Sequence, residues 1–168
     1  MTAHAGLDAL ARHYDDDVRA AIRRTYKAPT WRVFEEVTIR PKDVGVKDLK
    51  GRRRADFMAI RAGDNYAAIG IEHKRSLGDL RRGMADDQWL LPLRCFSQYG
   101  VLWTGHNSEI NAACNLLPKS GAGVDLWLWH LDDNGRMKVY RQGVVVEPHP
   151  AFLCALLVNP STRGEAGE

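Results

Sequence analysis

Two apolar runs, ADFMAI at 55–60 and YAAIGIEHK at 66–74, flank the short segment RAGDN. Apolar runs of strand length joined by Gly, Asp and Asn predict an antiparallel hairpin. This feature constrains the fold most, because both runs carry charge. Asp56 opens the first run, and Glu72 and Lys74 close the second. Charged side chains are rarely buried unless they are paired or bound to metal. In a hairpin, the start of one strand lies opposite the end of the other, so Asp56 comes within reach of Glu72. Period two puts Glu72 and Lys74 on one face of their strand and His73 on the other. Apolar residues on both faces of AAIGI predict a central, covered strand.

The flanking segments supply the remaining layers. Leu7, Leu10, Tyr14, Val18 and Ile22 recur at helical spacing and predict a helix over about 6–26. WRVFEEVTI, 31–39, predicts a strand with Phe34, Glu36 and Thr38 on one face and Val33, Glu35, Val37 and Ile39 on the other. Residues 40–51 read as a loop. Ser76 followed by Asp79 is an N-cap signal for a helix reaching about Leu91, with Pro92 kinking it or opening a second helix to Phe96. VLWTG, 101–105, predicts a short buried strand, and SEINAACNLL, 108–117, a short helix. Asn134–Gly135 between VDLWLWHL and RMKVYRQG predicts a late hairpin. The order implies an α/β or α+β domain, a central sheet flanked by helices with a C-terminal β-hairpin. One domain over 1–160 and a flexible tail over 161–168 are expected.

The chain has 168 residues, 45% hydrophobic and 27% charged, which suits a globular fold with a sizeable core. No apolar stretch approaches the roughly 20 residues of a membrane-spanning helix. MTAHAGLDALARHYDDD lacks a basic region followed by an apolar one, so no secretory signal is expected. Cys95, Cys114 and Cys154 are scattered and odd in number. They predict neither a disulfide framework nor a structural zinc site, and favour a reducing, cytoplasmic location. The six histidines, His106 included, show no zinc-ligand spacing.

The net charge is only +3, but its distribution is uneven. Lys47, Lys50, Arg52, Arg53 and Arg54 precede the acidic pair, and Arg75, Arg81 and Arg82 follow it. Such clusters are either solvated loops or a track for a polyanion, here DNA. Two carboxylates about 4 Å apart repel by roughly 4 kcal/mol at an effective dielectric of about 20. A shared proton or a divalent cation relieves that repulsion, and oxygen ligands suit Mg²⁺ or Mn²⁺. An ammonium one pleat away, Lys74, suits orienting or deprotonating an attacking water and stabilising charge at phosphorus. The plainer alternative is a cross-strand salt bridge on a solvated face, worth about 0.2–1 kcal/mol.

Asp56 followed by Glu72-x-Lys74, each on a predicted strand with helices before and after, resembles the PD-(D/E)XK nuclease superfamily. The resemblance covers about 6–105 and implies a restriction-endonuclease-like αβββαβ core with a mixed sheet. Within it, RRADFMAI and IGIEHKRSLGDLRRGMADDQW are most similar to small bacterial repair nucleases of the MmcB kind and to resolvase-like or phage nucleases. The resemblance implies that Asp56 and Glu72 bind metal, that Lys74 is catalytic, and that the His73 backbone carbonyl is a further ligand. It also implies an upstream acid, with Glu36 the first choice ahead of Glu35, Asp15, Asp16 and Asp17. Glu36 reads equally well as a solvent-exposed side chain. Ala55 stands where the motif's name has proline, a substitution frequent in the family.

Gln88 on the following helix reads first as an ordinary helix residue, second as a group orienting a metal water or a phosphate. Trp127 and Trp129 alternate along the late hairpin and suit core packing, a dimer contact or stacking on bases. The expectation is a Mg²⁺-dependent deoxyribonuclease, with Mn²⁺ able to substitute, in DNA repair, recombination or phage DNA processing. Its partner is DNA, not a membrane, and a homodimer through the hairpin is the accompanying expectation. The alternative is a catalytically silent nucleic-acid-binding or interaction domain on the same fold.

Overall fold

The computed structural model describes residues 15–41, 45, 53–61, 66–85, 89–120, 123–150, 152 and 164–165. Helix α1 covers 15–25, and its predicted first half lies outside the described residues. Strands β1 (Trp31–Ile39), β2 (Arg53–Arg61) and β3 (Ala67–Lys74) follow, then helices α2 (Leu77–Ala85) and α3 (Leu90–Cys95). Next come β4 (Gln98–Trp103), a single 3-10 turn at Asn107–Glu109 and α4 (Ile110–Leu116). The two-residue strands β5 (Lys119–Ser120) and β6 (Gly123–Val124) pair with each other. The hairpin β7 (Trp127–Leu131) and β8 (Met137–Arg141) completes the main sheet. β9 (Gly164–Glu165), inside the stretch expected to be a free tail, pairs with Phe34 and Glu35 of β1.

The fold is α+β, a mixed sheet flanked by helices. Its order is β8-β7-β4-β3-β2-β1-β9. β1, β2 and β3 form the antiparallel part, β3, β4 and β7 the parallel part, and β8 returns antiparallel. Parallel neighbours need crossovers, and α2–α3 and α4 supply them. The two central strands are covered on both faces and carry the continuous apolar runs of the sequence.

Among the described helices, α1 packs on one face and α2, α3 and α4 on the other. Val18 and Ile22 of α1 join Phe57, Ala59, Ile69, Ile71, Leu102, Trp127 and Trp129. Leu80, Leu91, Cys95, Ile110 and Ala113 from α2, α3 and α4 join Met58, Ala68, Val101, Trp103 and Leu128. Each fully buried aliphatic side chain contributes about 1.5–3 kcal/mol of transfer free energy.

The helix starts follow their sequence signals. The Asp79 N–H donates to Ser76 Oγ at 3.1 Å, the N-cap bond expected at the start of α2. Pro92 occupies the first turn of α3, where no intrahelical donor is required of it. α3 starts at Leu90, two residues ahead of the predicted break. The loop of the β7–β8 hairpin closes through Asp132 Oδ1, which accepts from the N–H groups of Asn134 and Arg136. Gly135 takes φ 64° there, a conformation that favours glycine.

Strict alternation along β1 fails at one place. Trp31 and Val33 pack against the α1 cluster, but Val37 and Ile39, of the same parity, lie in the opposite one. Glu36 takes φ 52° at the switch. β2 does the same opposite it, with Phe57 and Ala59 on the α1 side and Ala55 on the other. Glu35↔Phe57 and Val37↔Ala55 are in register, while Glu36 and Asp56 between them are not paired. A left-handed residue turns the strand over, so the single-face pattern expected for 33–39 holds only as far as Glu35.

Candidate active site

The site forms where this irregularity meets the carboxyl end of β3. The β2–β3 pairing ends at Phe57↔Ile71. Beyond it, the His73 N–H donates to Asp56 Oδ2 at 2.8 Å, a side-chain carboxylate in place of a ladder carbonyl. In a strand, the N–H and C=O of one residue face the same neighbour, so the His73 carbonyl also faces the Asp56 side. Lys74 and Glu72 share a face, as period two requires, and Lys74 Nζ lies 3.4 Å from Glu72 Oε2. Neither is on a solvated face, since their side chains are 16% and 14% exposed. That argues against the plain surface salt bridge.

Glu72 has a second partner that sequence reasoning missed. The Tyr99 hydroxyl of β4 donates to Glu72 Oε1 at 2.9 Å. Burial, then the neighbouring Asp56 charge, push the Glu72 carboxyl up to about 7, while Lys74 and Tyr99 pull it down. The Tyr99 phenol is raised well above its ordinary value, chiefly by burial and then by the Glu72 charge. His73, on the opposite face, is lowered mainly by burial, which disfavours its charged form. Its Nε2 lies 2.6 Å from Thr104 Oγ1.

Asp56, His73 and Lys74 open on a cleft of about 370 Å³. Asp15, Val18 and Arg19 of α1, Glu35, Glu36, Arg54 and Phe57 around the strand irregularity, and Arg75 and Asp79 near the α2 start line the rest of it. Glu72 stands behind this wall, against Tyr99. Gly83 of α2 lies over Lys74, where an added Cβ would sit 3.4 Å from Cε, so the helix passes close above the lysine stem.

The upstream acids separate clearly. Glu35 accepts from Arg19 Nε at 2.8 Å and from Arg23 at 3.3 Å, tying α1 to β1. Asp16 pairs with Arg19 at 2.9 Å. Glu36 is 72% exposed on the cleft rim, 3.5 Å from Arg54. Asp15 lines the cleft on the α1 side, near enough for its charge to act on His73. Asp17 is exposed.

Of the basic residues, Arg54 and Arg75 reach the cleft. Arg53 is half-buried, and Arg81 and Arg82 are exposed on α2, with Arg82 3.6 Å from Asp79. Lys47, Lys50, Arg52 and Gln88 lie outside the described residues. His106 caps the 3-10 turn through the Ser108 N–H and hydroxyl, as a local structural histidine.

Trp127 and Trp129 are not on the surface. Their rings stack at 5.9 Å, are 8% and 3% exposed, and pack against Val18 and Ile22 of α1. The Trp127 Nε1–H donates to the Val144 carbonyl. Helix α1 covers this hairpin face, which removes the basis for a dimer contact or for base stacking there.

Among the described residues, no group of three or more His, Cys, Asp or Glu side chains is placed to hold a metal ion. Asp56 lies near enough for its charge to act on Glu72, and the His73 carbonyl faces the Asp56 side, so two carboxylates and one backbone carbonyl are the nearest oxygen donors. These are hard oxygen donors of the kind Mg²⁺ and Mn²⁺ take, and both metals complete their shells with water and phosphate oxygens. Burial raises Glu72 most and the Asp56 charge adds to it; a dication between the carboxylates relieves the second cause. The residues present therefore fit such an ion in their chemistry.

No family model and no curated protein matches the chain. A solved structure, a protein of unknown function from Silicibacter pomeroyi, is similar to it, with a TM-score of 0.50 at 19% identity. The similarity covers 89% of this chain and 94% of that one, and it is a likeness of fold. Among the described residues, no helix is long and apolar enough to cross a membrane.

Proposed function

We propose that the protein is a Mg²⁺-dependent phosphodiester hydrolase acting on DNA, with the restriction-endonuclease-like core that its motif resembles. The carrying observation is the Asp56 carboxylate in place of a ladder acceptor on the His73 N–H, with the half-buried Lys74–Glu72 pair beside it. Burying these ions costs free energy that stability alone does not explain. Held by Asp56, Glu72 and the His73 carbonyl, Mg²⁺ or Mn²⁺ would supply Lewis-acid polarisation of a phosphoryl oxygen and acidify an attacking water.

The chain's own groups do the rest. Lys74 directs its ammonium at the reacting phosphate and stabilises charge as it builds on the oxygens. Arg54 and Arg75 hold phosphates on either side of the scissile one. Asp56 holds the tip of β3 in place through the His73 N–H. Glu36, Asp15 and the arginine-paired Glu35 are the upstream carboxylates on the cleft, and an upstream acid can come from among them.

The test is a panel of labelled DNA structures incubated with Mg²⁺, Mn²⁺ or EDTA. Cutting with the metals, sparing with EDTA, and a loss of at least about 100-fold in Lys74→Ala with unchanged DNA binding are expected. Cutting by Lys74→Ala at the parent rate would remove the lysine from the reaction. A second reading, a silent nucleic-acid-binding domain on the same fold, is favoured by one observation. Both Glu72 oxygens already have partners, Tyr99 and Lys74. DNA binding without cutting under any metal would select it.

A further inference from the structure

Tyr99 is nearly fully buried in β4, 2% exposed, and its phenol points at Glu72. A buried phenol needs a polar partner. Glu72 Oε1 is that partner, and a hydroxyl donating to a carboxylate makes a charge-assisted bond. The surroundings fix the aim of the phenol. Gly70 of β3 is the register partner of Tyr99. It has no side chain, and an added Cβ would stand 2.4 Å from the Phe96 ring. The Phe96 ring fills that space, and Tyr99 stacks on it at 5.8 Å with the planes 12° apart. Phe152 meets Phe96 edge-on at 5.2 Å. The Tyr99 ring is therefore held by packing, and its hydroxyl meets the carboxylate two residues along β3 from Gly70.

We infer that Tyr99 is the positioning residue of the site: it pins Glu72 Oε1 so that Oε2 stays turned toward Lys74 and the metal position. The inference rests on the metal-dependent reading above. A glutamate on a flexible stem loses side-chain entropy when it becomes a ligand. Anchoring one oxygen in advance lowers that cost and selects one orientation. Partners behind the ligands of metal sites act this way, and their loss typically costs roughly ten- to hundredfold in metal affinity or activity.

The experiment is a thermal melt titrated with Mn²⁺ alone, without DNA, on the parent chain, Tyr99→Phe, Asp56→Asn, Glu72→Gln and Glu72→Gln/Tyr99→Phe. Tyr99→Phe keeps the ring and its stack and removes only the hydroxyl. The parent chain should be stabilised by Mn²⁺, and Asp56→Asn should lose the response. Tyr99→Phe should need roughly ten- to hundredfold more Mn²⁺ for the same stabilisation. In the Glu72→Gln background, the same change should shift nothing further. An unchanged Mn²⁺ midpoint in Tyr99→Phe overturns the assignment alone and leaves the metal reading standing. A further shift in the Glu72→Gln background also overturns it, because Tyr99 would then act other than through Glu72. If Tyr99→Phe melts too early to titrate, Mn²⁺ binding read at low temperature from the free ion's paramagnetic resonance signal decides by the same outcomes: a weakened affinity supports the assignment and an unchanged one overturns it. No response in the parent chain sinks the metal reading and the assignment together.

Discussion

The two antiparallel ends of the sheet obey different rules. In β7–β8, every inward residue meets an apolar neighbour. Trp127 and Trp129 stack under α1, Asp132 closes the loop by accepting from the Asn134 and Arg136 N–H groups, and Lys138 and Arg141 are exposed on β8. In β2–β3, the pairing runs regularly from Arg61↔Ala67 to Phe57↔Ile71 and then stops. Past that point, Asp56, Glu72 and Lys74 replace apolar contacts, and a carboxylate replaces a ladder carbonyl. One end is built for stability and the other sets stability aside. Departures from local rules cluster where a chain does chemistry, and the β2–β3 tip is where this chain departs.

The contrast breaks most sharply on deletion. Trp129→Ala should cost about 3–5 kcal/mol, read as a fall in the urea midpoint, because it leaves a cavity under α1. Asp56→Asn keeps an acceptor for the His73 N–H and removes a charge that Glu72 opposes. It should leave the urea midpoint unchanged or raised, and lower cutting at least about 100-fold. If Asp56→Asn unfolds the chain as readily as Trp129→Ala, the carboxylate is a structural cap and the two ends are alike.

Acidity separates the ends next. The folded-state pKa of Glu72 is raised from 4.5 to about 7, so the folded chain holds a proton that the unfolded chain has already released. The Glu72 contribution to stability in EDTA is thus fully present below about pH 4.5 and is lost as the pH rises toward 7. A shift of this size corresponds to about 3 kcal/mol, and Glu72→Gln should flatten the fall. Mg²⁺ should flatten it as well, since an ion between the carboxylates favours the charged form. A slope that survives in Glu72→Gln would place its origin elsewhere.

The elements and the motif were legible in the sequence for a common reason. Ser76 with Asp79, and Asn134 with Gly135, act through backbone groups only a few residues away. Asp56, Glu72 and Lys74 were legible as charges inside apolar runs. Tyr99 was not, because an aromatic residue in a strand reads as core until the neighbouring strand's carboxylate is placed beside it. Asp15 and Arg19 reach the cleft only once α1 docks. For the Trp127–Trp129 pair the core reading holds and the dimer contact does not, for the same reason: whether a hairpin face is exposed depends on what lies over it, here Val18 and Ile22. Nothing near Glu36 announces a left-handed residue, so period two was carried straight through it.

Salt gives a smaller contrast. Arg54 and Arg75 border the cleft, whereas Arg141 is exposed on the edge strand β8. If DNA lies along the cleft, Arg54→Ala and Arg75→Ala should each reduce the slope of log affinity against log salt by about 1. Arg141→Ala should leave that slope unchanged. Equal effects at all three positions would mean nonspecific attraction, with the DNA not tracking the cleft.

The smallest effect tests the backbone itself. Among the described residues, Gly135 takes φ 64° in the β7–β8 loop and Glu36 takes φ 52° in β1, beside the β2–β3 tip. A left-handed conformation costs a residue with a Cβ about 1–2 kcal/mol, and glycine gives back roughly 0.5–1 kcal/mol of that in unfolded-chain entropy. Gly135→Ala should therefore lower stability by about 1 kcal/mol, with some crowding of the Arg24 guanidinium that hydrogen-bonds the Gly135 carbonyl. Glu36→Gly should raise stability by about 0.5–1 kcal/mol, since the strain disappears and the exposed pair with Arg54 contributes little. Its Mn²⁺ response separates two roles for Glu36. If the residue only turns the strand over to aim Asp56, glycine preserves that turn and the response stays intact. If it is the upstream acid, the response weakens although the fold is more stable. Loss of stability in Glu36→Gly would show that the side chain, not the conformation, holds the tip together.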